Sequence, residues 1–130
     1  KMPIFAYQSL LHMNETGQLL NKIIEGIQEK KGRNITTVDM TDIEAVCDFF
    51  VICEGTSNTH IMAINDSIEE YVRKNTGEKP FASEGIENAT WIVMDYGNIL
   101  VHIFERQTRA FYNLEHLWSD AKLTDIDDLV

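Results

Sequence analysis

The first third of the chain changes from helical spacing of its apolar residues to a strand-like run. Leu19, Ile23 and Ile27 are separated by four residues each, which places them on one face of a helix. This spacing predicts a helix over about Thr16–Lys31. The short apolar stretch Ile35–Met40 then predicts a β-strand.

A second strand and helix are predicted around the continuously apolar run Phe49–Cys53. An uninterrupted apolar run of this length is typical of a strand buried on both faces of a sheet, so we place it centrally. Thr56 or Ser57 can cap the helix that follows, because a hydroxyl accepts a hydrogen bond from a free backbone N–H. Its near-helical apolar positions extend to Val72, and Gly77 marks its end.

The clearest local pattern is a hairpin followed by a third helix. Two β-rich runs, Ala89–Asp95 and Ile99–Phe104, flank the turn Tyr96-Gly97-Asn98. The third helix is predicted over Glu105–Trp118. The resulting order α-β-β-α-β-β-α predicts an α/β fold, a single layered domain with a mixed β-sheet flanked by helices.

The length of 130 residues fits one domain with its own core. We divide the chain into an N-terminal extension (1–14), a domain (15–121) and an acidic C-terminal tail (122–130). The extension lacks the cleavage pattern of a signal peptide, and no apolar run approaches the roughly 20 residues of a membrane span. Cys47 and Cys53 form no Cys-x-x-Cys pair and are expected to be buried thiols. These features predict a cytoplasmic protein without membrane contact.

The charge of the chain bears on its partners. A formal net charge of −10 repels phosphate, so direct binding to DNA is not expected. A basic protein would be attracted instead.

Candidate chemistry begins at Gly55-Thr56-Ser57, which lies at a predicted strand-to-helix turn. Backbone N–H groups at such a turn can bind phosphate, and nucleotidyltransferases hold a triphosphate in this way. Those enzymes also need two carboxylates, two residues apart on the next strand, to hold metal ions. Asp95 is followed two residues later by Gly97, so the second carboxylate is missing. A helix cap is favoured over a phosphate site.

The four histidines do not form a metal-binding pattern. None lies four residues from another, and Cys53 with His60 is too small a set to define a metal site. Strand alternation places His102 on the face of Leu100 and Phe104, which favours a hydrogen-bonded structural histidine. We expect no metal and no cofactor.

Two further features leave alternatives open. Arg106 and Arg109 share a face of the third predicted helix, where an intramolecular ion pair or a protein contact is favoured over phosphate binding. Trp91, Val93 and Asp95 point to one side of their strand, opposite the side that carries Tyr96. The Trp91 side is either ordinary core or an exposed apolar surface for docking.

Six short motifs occur in a fixed order between residues 19 and 121. They are Asp48-Phe49-Phe50-Val51-Ile52, Gly55-Thr56-Ser57-Asn58, Glu84-Gly85, Trp91-Ile92-Val93-Met94-Asp95-Tyr96-Gly97, Val101-His102 and Arg109-x-Phe111-Tyr112-x-Leu114-Glu115-x-Leu117-Trp118. Each motif is unspecific alone, but the ordered set resembles the ribosomal silencing factor family, also called the Iojap family.

The resemblance implies a domain related to the nucleotidyltransferase fold without its catalytic carboxylate pair, and a protein that is not an enzyme. It implies binding to the fourteenth protein of the large ribosomal subunit, which blocks joining of the small subunit and represses translation. With Trp91 as an aromatic anchor, the expected partner-binding residues are Trp91, Val93, Asp95, Tyr96, His102, Arg109, Tyr112 and Glu115. The alternatives are a nucleotide-binding or nucleotidyltransferase-like enzyme, and a homodimer that pairs its exposed sheet face.

Overall fold

In the computed structural model, six strands form one mixed β-sheet, and helices pack on both of its faces. The structure describes residues 4–43, 45 and 47–129, and the side chains of the first helix from residue 14 onward. In chain order the elements are α1 (Ile4–Glu29), β1 (Arg33–Asp39), β2 (Phe49–Gly55), α2 (Asn58–Thr76), β3 (Ala82–Glu84), β4 (Trp91–Asp95), β5 (Ile99–Glu105), α3 (Arg106–Tyr112), α4 (Leu114–Leu117) and β6 (Lys122–Ile126). Within these described ranges, no helix is both long enough and apolar enough to cross a membrane.

The six strands lie in the order β3-β4-β5-β2-β1-β6. β2 and β5 run parallel, whereas every other neighbouring pair is antiparallel. The four residues 50–53 of β2 are all buried, because side chains on both faces of this strand are covered. The predicted central strand, the predicted hairpin of β4 with β5 and the predicted single layered α/β domain are therefore confirmed.

α1 and α2 pack together on one face of the sheet. Their buried residues include Leu19, Ile23 and Ile27 from α1, which share the predicted apolar face. Complete burial of such a side chain contributes about 2 kcal/mol, so this layer supplies much of the stability of the fold. The predicted cap of α2 is confirmed, since the Ser57 hydroxyl accepts the backbone N–H of His60 at 3.0 Å.

The opposite sheet face carries a second, smaller apolar cluster, which we call the aromatic face. Val38, Phe50, Ile52 and Phe104 are its buried sheet residues, and Trp91 is partly buried against them. Leu114 and Trp118 from the region of α4 also pack there. Only part of this face is covered by α3 and α4, because these helices are short.

Two predicted helix boundaries are wrong. α1 begins at Ile4 rather than at about Thr16, so most of the predicted N-terminal extension is helical, and residues 1–3 lie outside the described residues. The predicted third helix is interrupted at Asn113, which adopts a left-handed conformation with φ 47° and ψ 58°. Asparagine tolerates this conformation better than most residues, so it can end α3 and start α4 in a new direction.

Two strands were not predicted. β6 lies within the acidic segment 122–130 and pairs antiparallel with β1, and β3 pairs with β4 at the other edge of the sheet. Four of the five residues of β6 are exposed. Such edge strands are held mainly by backbone hydrogen bonds, so they need no alternation of apolar and polar residues and leave no clear pattern in the sequence.

Gly55 provides a test of the packing between β2 and α2. A Cβ at this position would lie 2.7 Å from Cγ1 and 3.0 Å from the backbone N of Ile61. We expect Gly55→Ala to lower the free energy of unfolding by roughly 1–3 kcal/mol, because the helix must shift away from the strand. Urea denaturation measures this change.

The control is Gly17→Ala in α1, where an added Cβ would meet nothing within 4 Å. Replacing a glycine inside a helix by alanine should raise the free energy of unfolding by roughly 0.5–1 kcal/mol. A Gly55→Ala protein as stable as the wild type would contradict the close approach.

Candidate functional site

A row of aromatic rings crosses the aromatic face from its buried centre to solvent. Trp91 on β4 lies opposite Phe104 on β5, and their ring centroids are 5.0 Å apart in a stacked arrangement. Trp91 also contacts Tyr112, at 4.7 Å between ring centroids. Tyr112, at the end of α3, is 51% exposed. The row therefore brings together residues from a hairpin and a separate helix.

A hydrogen bond fixes the orientation of the Trp91 ring. Its indole Nε1–H donates to Nδ1 of His102 at 3.1 Å, so Nδ1 is the unprotonated nitrogen of that histidine. His102 is only 6% exposed, and burial lowers its pKa from 6.5 to about 4. The imidazole is therefore neutral at pH 7. The prediction of a hydrogen-bonded structural histidine on the face of Phe104 is confirmed.

The two interpretations of Trp91 each describe part of its surroundings. The ring packs on Phe104 and belongs to the edge of the second apolar cluster, yet it is not fully buried. Val93, the next residue on the same side of β4, is also half-buried. Trp91 therefore packs on Phe104 and is also partly accessible to solvent, together with Val93.

The Arg109 guanidinium ties α3 and α4 to the sheet. Its Nε donates to Glu115 at 2.8 Å, and its Nη1 donates to Glu54 at 3.0 Å and to the backbone oxygen of Asn34 at 2.6 Å. Its Nη2 donates to the hydroxyl of Thr36 at 3.1 Å. We call these five residues the Arg109 network. The predicted intramolecular pair is confirmed for Arg109.

Six of the eight predicted site residues lie on the aromatic face or hold the segment beside it. Trp91, Val93 and Tyr112 offer accessible surface on the aromatic face, whereas the buried His102 supports Trp91. Arg109 and Glu115 hold the α3–α4 segment through the Arg109 network.

Asp95 and Tyr96 do not join these contacts. The Asp95 carboxylate accepts the backbone N–H of Gly97 at 2.7 Å in the hairpin turn. Tyr96 is 3% exposed and lies with α1 and α2, on the face that strand alternation predicts for it.

The turn at Gly55-Thr56-Ser57 uses its polar groups internally. Ser57 caps α2, and the Thr56 backbone N–H donates to Nδ1 of His60 at 2.9 Å. The other nitrogen of that ring lies 2.6 Å from the backbone oxygen of Lys30. One backbone N–H of the turn therefore already has a partner, and the predicted helix cap is confirmed. Across the part of the chain that is described, no three His, Cys, Asp or Glu residues are grouped to hold a metal ion.

Two accessible residues of this region were not among the predicted contacts. Phe111 is 81% exposed and Leu117 is 69% exposed, although both lie with Leu114 and Trp118 in the single helix that was predicted. Asn113 was the available signal, because asparagine often ends a helix in the left-handed conformation.

The fold and the aromatic face define a small layered α/β protein with aromatic side chains partly exposed on one face of its sheet. A family model described as ribosomal silencing factor during starvation matches residues 13–130. The chain belongs to this ribosomal silencing factor family.

Relatives and a solved structure agree with this assignment. The ribosomal silencing factor of Bacillus subtilis is 38% identical over 99 residues, which cover 76% of this chain and 83% of the relative. That of Halalkalibacterium halodurans is 33% identical over 113 residues, which cover 87% and 96%. A crystal structure of a Chromobacterium violaceum protein superposes with a TM-score of 0.75 at 25% identity, covering 88% of this chain and 92% of that one.

Removal of the Arg109 side chain tests the network. Arg109→Ala leaves the carboxylates of Glu54 and Glu115 partly buried without their cation, so we expect the free energy of unfolding to fall by about 3 kcal/mol. Chemical denaturation measures the loss. Arg106→Ala removes an exposed arginine three residues away and should change stability by less than about 0.5 kcal/mol. Similar losses for both variants would contradict the role of the network.

His102 gives the fold a predictable response to pH. Because its folded pKa of about 4 lies below the ordinary 6.5, the unfolded chain takes up the proton first as pH falls. The contribution of His102 to the free energy of unfolding is therefore fully present well above pH 6.5 and is lost progressively as pH falls towards 4. Between about pH 7.5 and pH 5.5 this loss amounts to about 1 kcal/mol.

Urea denaturation at several pH values measures this loss. His102→Asn keeps an acceptor for Trp91 and should remove this part of the pH dependence. His116→Asn replaces an exposed histidine and serves as the control. An unchanged pH dependence in His102→Asn would show that His102 is not the group responsible.

Proposed function

We propose that this protein binds the fourteenth protein of the large ribosomal subunit and sterically prevents the small subunit from joining. Translation is repressed by occupancy of the intersubunit surface, without a chemical step. The protein acts in the cytoplasm. Membership of the ribosomal silencing factor family supports this assignment at the level of the family.

The observation that carries the proposal is the half-exposed aromatic row on a face that α1 and α2 do not cover. Aromatic residues that are rigid and partly buried are typical anchors of protein interfaces, because little conformational entropy is lost when they are covered. Trp91 meets this description, since Phe104, Tyr112 and His102 fix its ring before any partner arrives.

The predicted residues take different parts in this proposal. Trp91, Val93 and Tyr112 contact the partner, and Asp95 lies at the hairpin end of the same face. His102, Arg109 and Glu115 hold the contacting side chains in place, and Tyr96 supports β4 from the other layer. The net charge of −10 speeds the encounter with a basic partner protein.

A binding role is favoured over nucleotidyl transfer by the turn after β2. The Ser57 hydroxyl accepts the backbone N–H of His60, and the backbone N–H of Thr56 donates to the His60 ring. Asp95, the acidic residue of β4, pairs with Leu100 at the end of β5 that lies away from this turn, and its carboxylate bonds to its own hairpin turn. A nucleotide phosphate bound at the turn would have to displace the contacts with His60.

Co-sedimentation with purified large subunits tests the proposal, together with titration of the purified fourteenth protein. We expect the wild-type protein to migrate with large subunits and to reduce the fraction of joined ribosomes. Trp91→Ala should weaken binding by about 2 kcal/mol or more, because it removes the anchor.

The control must separate loss of contact from loss of stability, since Trp91 also packs on Phe104. Gly26→Ala crowds the contact between α1 and α2 on the other face of the sheet, where an added Cβ would lie 3.0 Å from Cα of Ile68, and it should leave the affinity unchanged. If Trp91→Ala binds as tightly as the wild type, Trp91 is not an anchor. If the wild type fails to migrate with large subunits, the proposed function is wrong.

A further inference from the structure

Phe111 and Leu117 are exposed, whereas two other apolar residues of the same segment are partly buried. Phe111 is 81% exposed and Leu117 is 69% exposed, while Leu114 and Trp118 pack into the second apolar cluster. The Trp118 ring lies edge-on to Phe50, with 5.9 Å between centroids. The segment of α3 and α4 thus packs Leu114 and Trp118 against the sheet and leaves Phe111 and Leu117 in solvent.

The conformation of the α3–α4 segment keeps the exposed pair in solvent. The left-handed Asn113 separates the last turn of α3 from α4, so Phe111 does not continue the inward face that Leu114 and Trp118 form. Arg109, two residues before Phe111, is fixed by four hydrogen bonds to the sheet and to Glu115. The entropy of ordering this segment is lost on folding and does not have to be lost again on binding.

Phe111 also continues the aromatic row. Its ring meets Tyr112 edge-on, with 5.1 Å between centroids, and Tyr112 in turn lies 4.7 Å from Trp91. The row thus extends without a gap from the half-buried Trp91 to a nearly fully exposed phenylalanine. A partner that covers Trp91 and Tyr112 would reach Phe111 as the next ring.

We propose that Phe111 and Leu117 are direct anchors of the docking surface and insert into apolar depressions on a basic protein of the large subunit. The inference rests on the proposed function and deepens it. Trp91 and Tyr112 form the supported centre of the contact, and the α3–α4 segment forms its projecting edge. The acidic chain surrounds these apolar contacts with charge that complements a basic partner.

The chain offers a matched pair of phenylalanines for the test. Phe81 is 80% exposed, as Phe111 is, but it precedes β3 and packs over the hairpin turn at Gly97. It is not part of the aromatic row. Truncating either exposed ring should have little effect on folding, which thermal denaturation checks.

The affinity of each variant is measured by titration with purified large subunits. Light scattering measures the oligomeric state of the free protein. We expect Phe111→Ala and Leu117→Ala each to weaken binding by about tenfold or more, and Phe81→Ala to leave it unchanged. Equal affinity of the wild type and Phe111→Ala would overturn this inference while leaving the proposed function standing. Equal weakening by Phe111→Ala and Phe81→Ala would overturn it as well, because the effect would not be specific to the row.

Two other outcomes are distinct. A wild-type protein that does not bind large subunits overturns the proposed function, and with it this inference. A wild-type dimer that Phe111→Ala converts to a monomer, with unchanged subunit affinity, would show that a second copy of the chain covers Phe111. That result would also overturn the inference.

Discussion

The placement of α3 and α4 depends on one guanidinium group. Arg109 reaches two carboxylates, a hydroxyl and a backbone oxygen, and these acceptors belong to β1, β2 and α4. A buried ion pair adds little net stability, because its charges lose their hydration, but its fixed geometry restricts how the segments can pack. The position of Tyr112 beside Trp91 follows from this restriction. The aromatic row therefore depends on an electrostatic contact that is not part of the row.

The two faces of the sheet have different roles. The face under α1 and α2 is filled by aliphatic side chains, whose burial supplies most of the free energy of folding. The aromatic face holds fewer buried residues, and Trp91 and Val93 on it are only partly buried. The larger number of buried residues therefore lies under α1 and α2, and apolar surface is left exposed on the other face. The neutral His102 fits this arrangement, since it accepts a hydrogen bond from Trp91 without placing a charge inside the cluster.

The sequence predicted the elements that have a clear hydrophobic period. α2, the central β2 and the hairpin of β4 with β5 are such elements, and the side on which Tyr96 lies followed from strand alternation alone. The start of α1, the edge strands and the break at Asn113 were missed, because none of them requires a periodic apolar pattern. The exposure of Trp91 could not be predicted either. It depends on where α3 and α4 pack, and therefore on a contact between Arg109 and Glu54, which are 55 residues apart.

The block from Arg109 to Trp118 shows why a sequence motif and a binding site are different objects. Arg109, Leu114 and Trp118 point inward and hold the segment, whereas Phe111, Tyr112 and Leu117 offer surface. A substitution in the first set changes the position of the second, so either kind of substitution can reduce binding. They differ in their effect on folding, because only the inward residues contribute buried contacts. Stability measured beside affinity therefore separates the residues that contact a partner from those that position the contacts.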